Sequence, residues 1–341
     1  MTIFRYIKIL RTYWPNEGRN THIIFLNFLL MLIRLPFSLI DLILIKLGSQ
    51  SDVEPIFVLG YYRSGTTHLQ KLISLHPSVS YLNIFKTYFP DSFLSMEFWF
   101  KPLTQMILTI FKIKNPIHRV PFNWDLPGEE DIAFAFHPSR FSLNWSHAFP
   151  SKAKEVYERA IKSDREEFKD YYLSYFKRIT FLSKKRYMVL KSPPNTARVE
   201  TLLELFPNAK FVYIQRDPLE TLASNRYLLD VVDGAQFEKT SSDERDELII
   251  DLYLKMTDDY FQQRELIPKE NLYETTFEKL VKNPQNELLA LFKQFSLAAD
   301  NDSLMEVNSF IRAKHGKHMG NYSDIVCNSN TLARLKEVKT L

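Results

Sequence analysis

Three short apolar runs, each followed by a stretch with helical periodicity, frame this sequence. Pro55-Ile56-Phe57-Val58-Leu59 leads into Gly60, after which Leu69, Leu72 and Ile73 recur at helical spacing. Tyr187-Met188-Val189-Leu190-Lys191 ends at Ser192-Pro193-Pro194-Asn195, and Val199, Leu202, Leu203 and Phe206 then mark a helix stopped by Pro207. Lys210 to Gln215 closes on Arg216-Asp217-Pro218 and a helix running through Leu229. Strands buried on both faces read as continuous apolar runs, and strand–helix–strand at this spacing needs a parallel neighbour and a right-handed crossover. The predicted class is α/β, a central parallel sheet with flanking helices. Ligands in such sheets collect at the carboxyl ends of the strands, where Gly60, Lys191 and Arg216 all fall.

The flanking segments have other patterns. Residues 23–47 are apolar, interrupted by Arg34, Pro36 and Asp41. Their length would cross a bilayer of about 30 Å, but the two charges would cost about 2.5–3.5 kcal/mol each inside it. Pro36 predicts a helical hairpin or an in-plane pair of helices. Three readings stand for this segment: an interfacial attachment, an arm packed on the rest of the chain, and a spanning helix. Residues 81–150 are rich in aromatics and prolines, suited either to an acceptor pocket or to a helical cap, and Pro127-Gly128-Glu129-Glu130-Asp131 reads as the start of a helix bearing three carboxylates. Residues 151–186 predict two exposed helices with a core-facing stripe from Phe168 to Leu182, and 243–266 a charged surface helix. Asn283-Pro284 opens a final amphipathic helix carrying Leu288, Leu291, Phe292 and Phe295. The organisation expected is an N-terminal hydrophobic segment, 1–50, and a single domain, 51–341, with the aromatic insertion at about 81–150.

Composition narrows the chemistry. At 341 residues, 45% of them hydrophobic, the chain can bury a sizeable core. A formal charge of +4 is too weak to imply nucleic acid and suits a compact anionic ligand. The single cysteine, Cys327, excludes an intramolecular disulfide and favours a reducing compartment, hence a cytoplasmic location. No metal-ligand spacing is present.

Glycine is scarce, 8 in 341 residues against an average near 7%, yet two fall at Gly60-x-x-x-x-Gly65-Thr66-Thr67 in the first strand-to-helix turn. The first turn of a helix leaves N–H groups without intrahelical partners and carries a partial positive charge, so such a turn is a phosphate cradle. Thr66 stands where a P-loop lysine would reach the β/γ-phosphates, which argues against cleavage of a triphosphate; Arg63 and Ser64 supply a cation and a hydroxyl instead.

Gly60-Tyr61-Tyr62-Arg63-Ser64-Gly65-Thr66-Thr67 resembles the 5′-phosphosulfate loop of sulfotransferases that use 3′-phosphoadenosine 5′-phosphosulfate (PAPS), with Tyr62 in place of the usual proline. The resemblance runs over roughly residues 53–298 and implies a P-loop-like sulfotransferase fold. It assigns Arg63, Ser64, Gly65, Thr66 and Thr67 to the 5′ end of the donor, Arg216 and Ser224 to its 3′-phosphate, and Lys191 to the transferring group. Phe277, in Phe277-Glu278-Lys279-Leu280, stands where the family has a tyrosine beside adenine. Lys314 and Lys317 belong to a basic, glycine-containing loop suited to closing over the nucleotide.

The implied reaction moves a sulfuryl group to an acceptor hydroxyl with no metal. Arg63, the Gly65–Thr67 backbone and Lys191 are the expected stabilisers of the leaving oxygen. Relatives carry a glutamate soon after the His-Pro that follows the loop helix; here Ser80 to Ile84 after His76-Pro77 holds no acid. The general base is therefore expected among Glu130, Glu129 and His137, with Glu130 placed first. The expected acceptor is a small molecule or a lipid-like alcohol, with membrane-surface contact through residues 1–48 at the cytoplasmic face and no nucleic-acid partner. Two other readings are an atypical P-loop kinase, which would turn over ATP with magnesium, and a non-catalytic membrane-attached nucleotide-binding protein.

Overall fold

The structure, a computed structural model, describes residues 21–48, 51–115, 120–136, 142–163, 165–232, 236, 238–298 and 329–341. In chain order its main elements are α1 (Thr21–Leu47), β1 (Glu54–Leu59), α2 (Thr66–Ile73), β2 (Val79–Tyr81), α3 (Phe100–Ile110), α4 (Glu130–Phe136), α5 (Arg165–Ile179), β3 (Tyr187–Lys191), α6 (Val199–Leu205), β4 (Lys210–Gln215), α7 (Pro218–Val232), α8 (Ser242–Gln263), β5 (Leu272–Thr276), α9 (Phe277–Lys282), α10 (Pro284–Gln294) and α11 (Ser329–Leu335). They fall into two compact units: a sheet unit from within 53–81, 185–227 and 242–341, and a helical unit from within 1–52, 82–184 and 228–241.

In the sheet unit the strands lie in the order β2-β3-β1-β4-β5, and every neighbouring pair is parallel. The chain passes to one side of β1 for β2 and β3 and to the other for β4 and β5, which opens a crevice at the carboxyl end of β1. Alternation along the strands divides the core in two. Ile56, Val58, Val189, Val212 and Ile214 pack against Leu69 and Leu72 of α2 and Leu288, Leu291 and Phe292 of α10. On the other face Phe57 meets Phe206 and Phe211 at ring-centroid distances of 5.9 and 5.5 Å, and Tyr213 stacks on Tyr260 of α8 at 3.8 Å. That stacking corrects the expectation for residues 243–266. Most of the helix's charges are on one side, and its other side buries Leu252, Tyr253, Met256 and Tyr260, together with Asp246 paired to Arg226. Strands β2 and β5 were not expected from the sequence. β2 has three residues, and β5 is Leu-Tyr-Glu-Thr-Thr, a half-buried polar edge with no apolar run to betray it.

In the helical unit α1 is a single helix that runs through Pro36, not the hairpin or helix pair expected there. Proline removes one backbone hydrogen bond, but anchors on either side of it hold the helix to one neighbouring segment. The Arg34 guanidinium donates to the Tyr88 carbonyl at 2.6 Å, and the Asp41 carboxylate accepts from the N–H groups of Leu94 and Ser95 at 2.9 and 2.8 Å. Among the described residues no helix is long and apolar enough to cross a membrane. α4 and α5 share an aromatic core in which Phe134 touches Phe168, Tyr171 and Tyr172, each with centroids 5.6 Å away. The stripe on α5 is buried as expected up to Ile179, whereas Leu182 is exposed, in a left-handed turn.

Candidate functional site

Strand register alone brings the expected donor residues to one edge. Val58 of β1 lies level with Lys191 of β3, and Gly60 begins its loop two residues later. Gln215 of β4 lies level with Thr276 of β5, so Arg216 and Phe277 leave the sheet side by side. The four carboxyl ends thus deliver Gly60, Lys191, Arg216 and Phe277. Lys191 is fully buried.

The loop from Gly60 to Gly65 is held at several points. Gly60 has φ 143 and Gly65 φ 97, conformations that side chains rarely adopt. A Cβ on Gly60 would lie 2.4 Å from the Ile214 carbonyl oxygen, and one on Gly65 would lie 2.4 Å from Cδ2 of Phe277. The Gly60 N–H donates to the Thr196 hydroxyl at 2.8 Å, and that hydroxyl lies 3.2 Å from the Gly60 carbonyl as its donor. Asn225 donates to the Tyr62 carbonyl at 2.9 Å, and the Ser64 hydroxyl to the Tyr61 carbonyl at 2.7 Å. Tyr61 stacks on Tyr253 at 4.5 Å and donates to the Ile249 carbonyl at 2.8 Å. Burial pushes the Tyr61 phenol up and that of Tyr253 to about 12, so both stay neutral. With its path fixed, the loop ends at the first turn of α2, where no side chain caps the helix and the backbone of Thr66 and Thr67 begins.

Arg63 is the loop's one non-glycine residue in the left-handed region, at φ 66. Its Nε donates to the Ser224 hydroxyl of α7 at 3.0 Å. The loop cation and the serine expected at the opposite end of the donor are therefore in direct contact. Arg216 stands beside them: its guanidinium carbon lies 4.7 Å over the Phe277 ring, the same ring that fills the space beside Gly65. Asp217 caps α7 by accepting from the Glu220 N–H at 2.9 Å, with Pro218 in the first helical position. One turn on, Glu220 accepts from Arg216 Nε at 2.9 Å and from its terminal nitrogen at 2.5 Å. The arginine fork thus grips a carboxylate, an anion from its own chain.

Thr196 is a contact that sequence reasoning missed, although the polar Asn195-Thr196 pair soon after β3 is a readable signal for it. Gln215 is a second. Its amide nitrogen donates to the Lys339 carbonyl at 2.6 Å and its amide oxygen accepts from the Leu341 N–H at 3.0 Å, fixing the residue just before Arg216.

The base candidates belong to the helical unit. Glu130 and Asp131 occupy the first turn of α4, as expected. Glu130 is fully buried and accepts from the Tyr172 hydroxyl at 2.8 Å. Asp131 accepts from the Ser142 hydroxyl and from the backbone and side-chain nitrogens of Asn144, which makes it a brace for the next turn. Glu129 is half-buried and acts electrostatically on His147, whose imidazole burial lowers to about 4 against the pull of that carboxylate. His137, Lys314 and Lys317 lie outside the described residues. Among the described residues, no three His, Cys, Asp or Glu side chains are grouped to hold a metal ion.

Residues 55–301 match the profile of the Sulfotransferase family, and the chain belongs to that family. Two curated relatives are the Omega-hydroxy-beta-dihydromenaquinone-9 sulfotransferase Stf3 of Mycobacterium tuberculosis (strain CDC 1551 / Oshkosh) and that of Mycobacterium bovis (strain ATCC BAA-935 / AF2122/97). Each is 28% identical to this chain over 259 residues, 71% of this chain and 63% of the relative. The match therefore spans less than two thirds of those relatives' length. Among solved structures, sulfotransferase STF9 from Mycobacterium avium superposes with a TM-score of 0.65 at 18% identity, covering 79% of this chain and 70% of that one. Sulfotransferase STF1 from Mycobacterium tuberculosis H37Rv gives 0.61 at 17% identity, covering 76% and 72%. The fold is that of these sulfotransferases.

Proposed function

We propose that the chain transfers a sulfuryl group from PAPS to the hydroxyl of a lipid or other amphipathic alcohol. The observation that carries this reading is the Arg63–Ser224 hydrogen bond, with Arg216 and Phe277 stacked alongside Gly65. Two anion-binding groups far apart in sequence adjoin there, as a nucleotide with phosphates at both its 3′ and 5′ positions requires. In this reading Arg216 exchanges Glu220 for the 3′-phosphate, assisted by Ser224, and Phe277 takes the adenine side. Arg63, Ser64 and the Gly65–Thr67 backbone hold the 5′ end, and Lys314 and Lys317, outside the described residues, are further candidates for the nucleotide. As the bond to sulfur breaks, negative charge grows on the bridging oxygen of the leaving phosphate. Arg63, the first N–H groups of α2 and Lys191 favour that state over the ground state. Glu130 is the first candidate to take the acceptor proton, with Glu129 and His137 as alternatives.

A lipid-like acceptor draws support from the name of the curated relatives, which specifies a hydroxylated menaquinone derivative. The same reading places the chain in the cytoplasm, attached to the membrane face through residues 1–48. The test is transfer of labelled sulfate from PAPS to a lipid extract and, in parallel, to a carbohydrate extract. Label in the lipid fraction is expected. Label in sugars alone overturns the acceptor, magnesium-dependent ATP turnover overturns the donor, and binding of 3′-phosphoadenosine 5′-phosphate (PAP) without transfer to any acceptor overturns catalysis.

A further inference from the structure

We propose that α1 and α3 together form a bilayer-seating surface, so that α3, inside the aromatic insertion, is the second half of the membrane contact. Both helices are inside out with respect to water. On α1 the inward face carries Arg34 and Asp41, one residue in seven, each bound to backbone groups of the same unit. Its outward positions, among them Leu32, Ile33, Leu35, Leu39 and Ile43, are exposed aliphatics.

On α3 the inversion repeats. Lys101 pairs with Glu97 and Asp125, Thr104 accepts from the Trp124 indole N–H at 3.0 Å, and Gln105 accepts from the Trp124 backbone N–H at 3.0 Å. These polar residues face their own unit. Leu103, Met106, Ile107 and Ile110, spaced i, i+3, i+4, i+7, face away, and no residue of this helix is buried. A surface helix of a water-soluble domain is oriented the other way round, and a contiguous apolar face of this kind marks an interaction site. The two faces are joined where Phe37 of α1 meets Trp99 at 5.4 Å.

The chemistry around the patch selects an anionic phospholipid surface. Aromatic residues stand at both ends of α3: Phe98, 90% exposed, and Trp99, 45% exposed, before it and Phe111, 71% exposed, after it, the Trp and Phe that line the apolar face of interfacial helices. Among the described residues, Lys46, Lys112 and Lys114 are exposed beside the patch; of the acids nearby, Asp41 is held by backbone N–H groups, while Glu97 and the exposed Asp125 share Lys101. Apolar area ringed by lysines binds acidic headgroups and the acyl boundary together. With Arg34 and Asp41 tied inward, α1 lies in the interface plane and does not cross the bilayer.

The inference deepens the attachment proposed through residues 1–48 and can fail separately from it. The full chain is sedimented with phosphatidylcholine vesicles, with and without phosphatidylglycerol. It should partition onto both, more strongly onto the anionic ones. Ile107→Ser combined with Ile110→Ser should lower the partition coefficient at least about tenfold, and Lys112→Glu with Lys114→Glu should weaken the anionic preference. Because these positions are exposed, the melting temperature and PAP binding should not change. If the first pair does lower the melting temperature, Met106→Ser with Phe111→Ser is scored in its place. If the parent chain and the α3 variant bind vesicles equally, this surface is wrong while attachment through residues 1–48 survives. If the parent chain binds no vesicles, both fall. A lipid-independent dimer dispersed by the α3 substitutions would assign the face to a second copy and overturn the proposal.

Discussion

β1 and α1 are both strongly apolar stretches, and the fold uses them in opposite ways. β1 is buried from Pro55 to Leu59 between two layers of helix, and its one polar consequence is the loop that follows it. α1 hides Arg34 and Asp41 and leaves Leu32, Ile33, Leu35, Leu39 and Ile43 outside. Hydropathy reports which side chains avoid water; it does not report whether another strand or something beyond the chain covers them. The same contrast divides the proposed chemistry, because the described donor-side candidates belong to the sheet unit and the described base candidates to the helical unit.

The strongest way to break that division is to remove one member from each side. Lys191→Ala should lower kcat about 10²–10³-fold with little change in PAP affinity, as expected for a group acting mainly on the transition state. Glu130→Gln should lower kcat by a comparable factor, within the roughly 10²–10⁴ of a general base. Full activity in the glutamine variant would reduce Glu130 to the acceptor of the Tyr172 hydroxyl and confine the chemistry to the sheet unit. Next in size, Arg216→Ala should weaken PAP binding about 30–100-fold by titration calorimetry, the loss of a charge-assisted contact of roughly 2–3 kcal/mol. Unchanged affinity there and in Ser224→Ala would refute the 3′-phosphate assignment.

The helical unit can also be tested alone. Burial lowers His147 to about 4 in the folded chain, against an ordinary value near 6.5. As pH falls below about 6.5 the unfolded chain takes up this proton first, so stability should decline from there to about pH 4, by on the order of 2 kcal/mol, and then stop responding to this group. Denaturant melts of the parent and of His147→Gln, whose acid limb should be flatter, check it. The smallest effect is expected at Glu220. Glu220→Gln frees the Arg216 fork from a half-exposed carboxylate and should tighten PAP binding by only about three- to fivefold, because exposed pairs contribute little. No change would mean that the pair does not compete with the nucleotide.

Much of the sheet unit is legible in the sequence because its strands are continuous apolar runs with charged or proline stops. Tyr187–Lys191 and Lys210–Gln215 have the same bounds in the sequence reading and in the fold. The glycine spacing marks the loop because φ 143 and φ 97 leave few other residues possible. What the sequence hides is decided by partners distant along the chain. Thr196 matters because β3 lies beside β1, and Gln215 because the backbone of residues 339 and 341 returns to it. In the helical unit Pro36 gives a false stop, since two anchored side chains outweigh one missing backbone hydrogen bond.

The ring of Phe277 in the space beside Gly65 has a consequence for biogenesis. The Gly60–Gly65 loop is translated early, but the residue that walls it follows β5, the last described strand of the sheet, so a nascent or prematurely terminated chain ending before β5 would carry the loop without its finished wall. Retention on an immobilised nucleotide would then sort completed molecules from truncated ones.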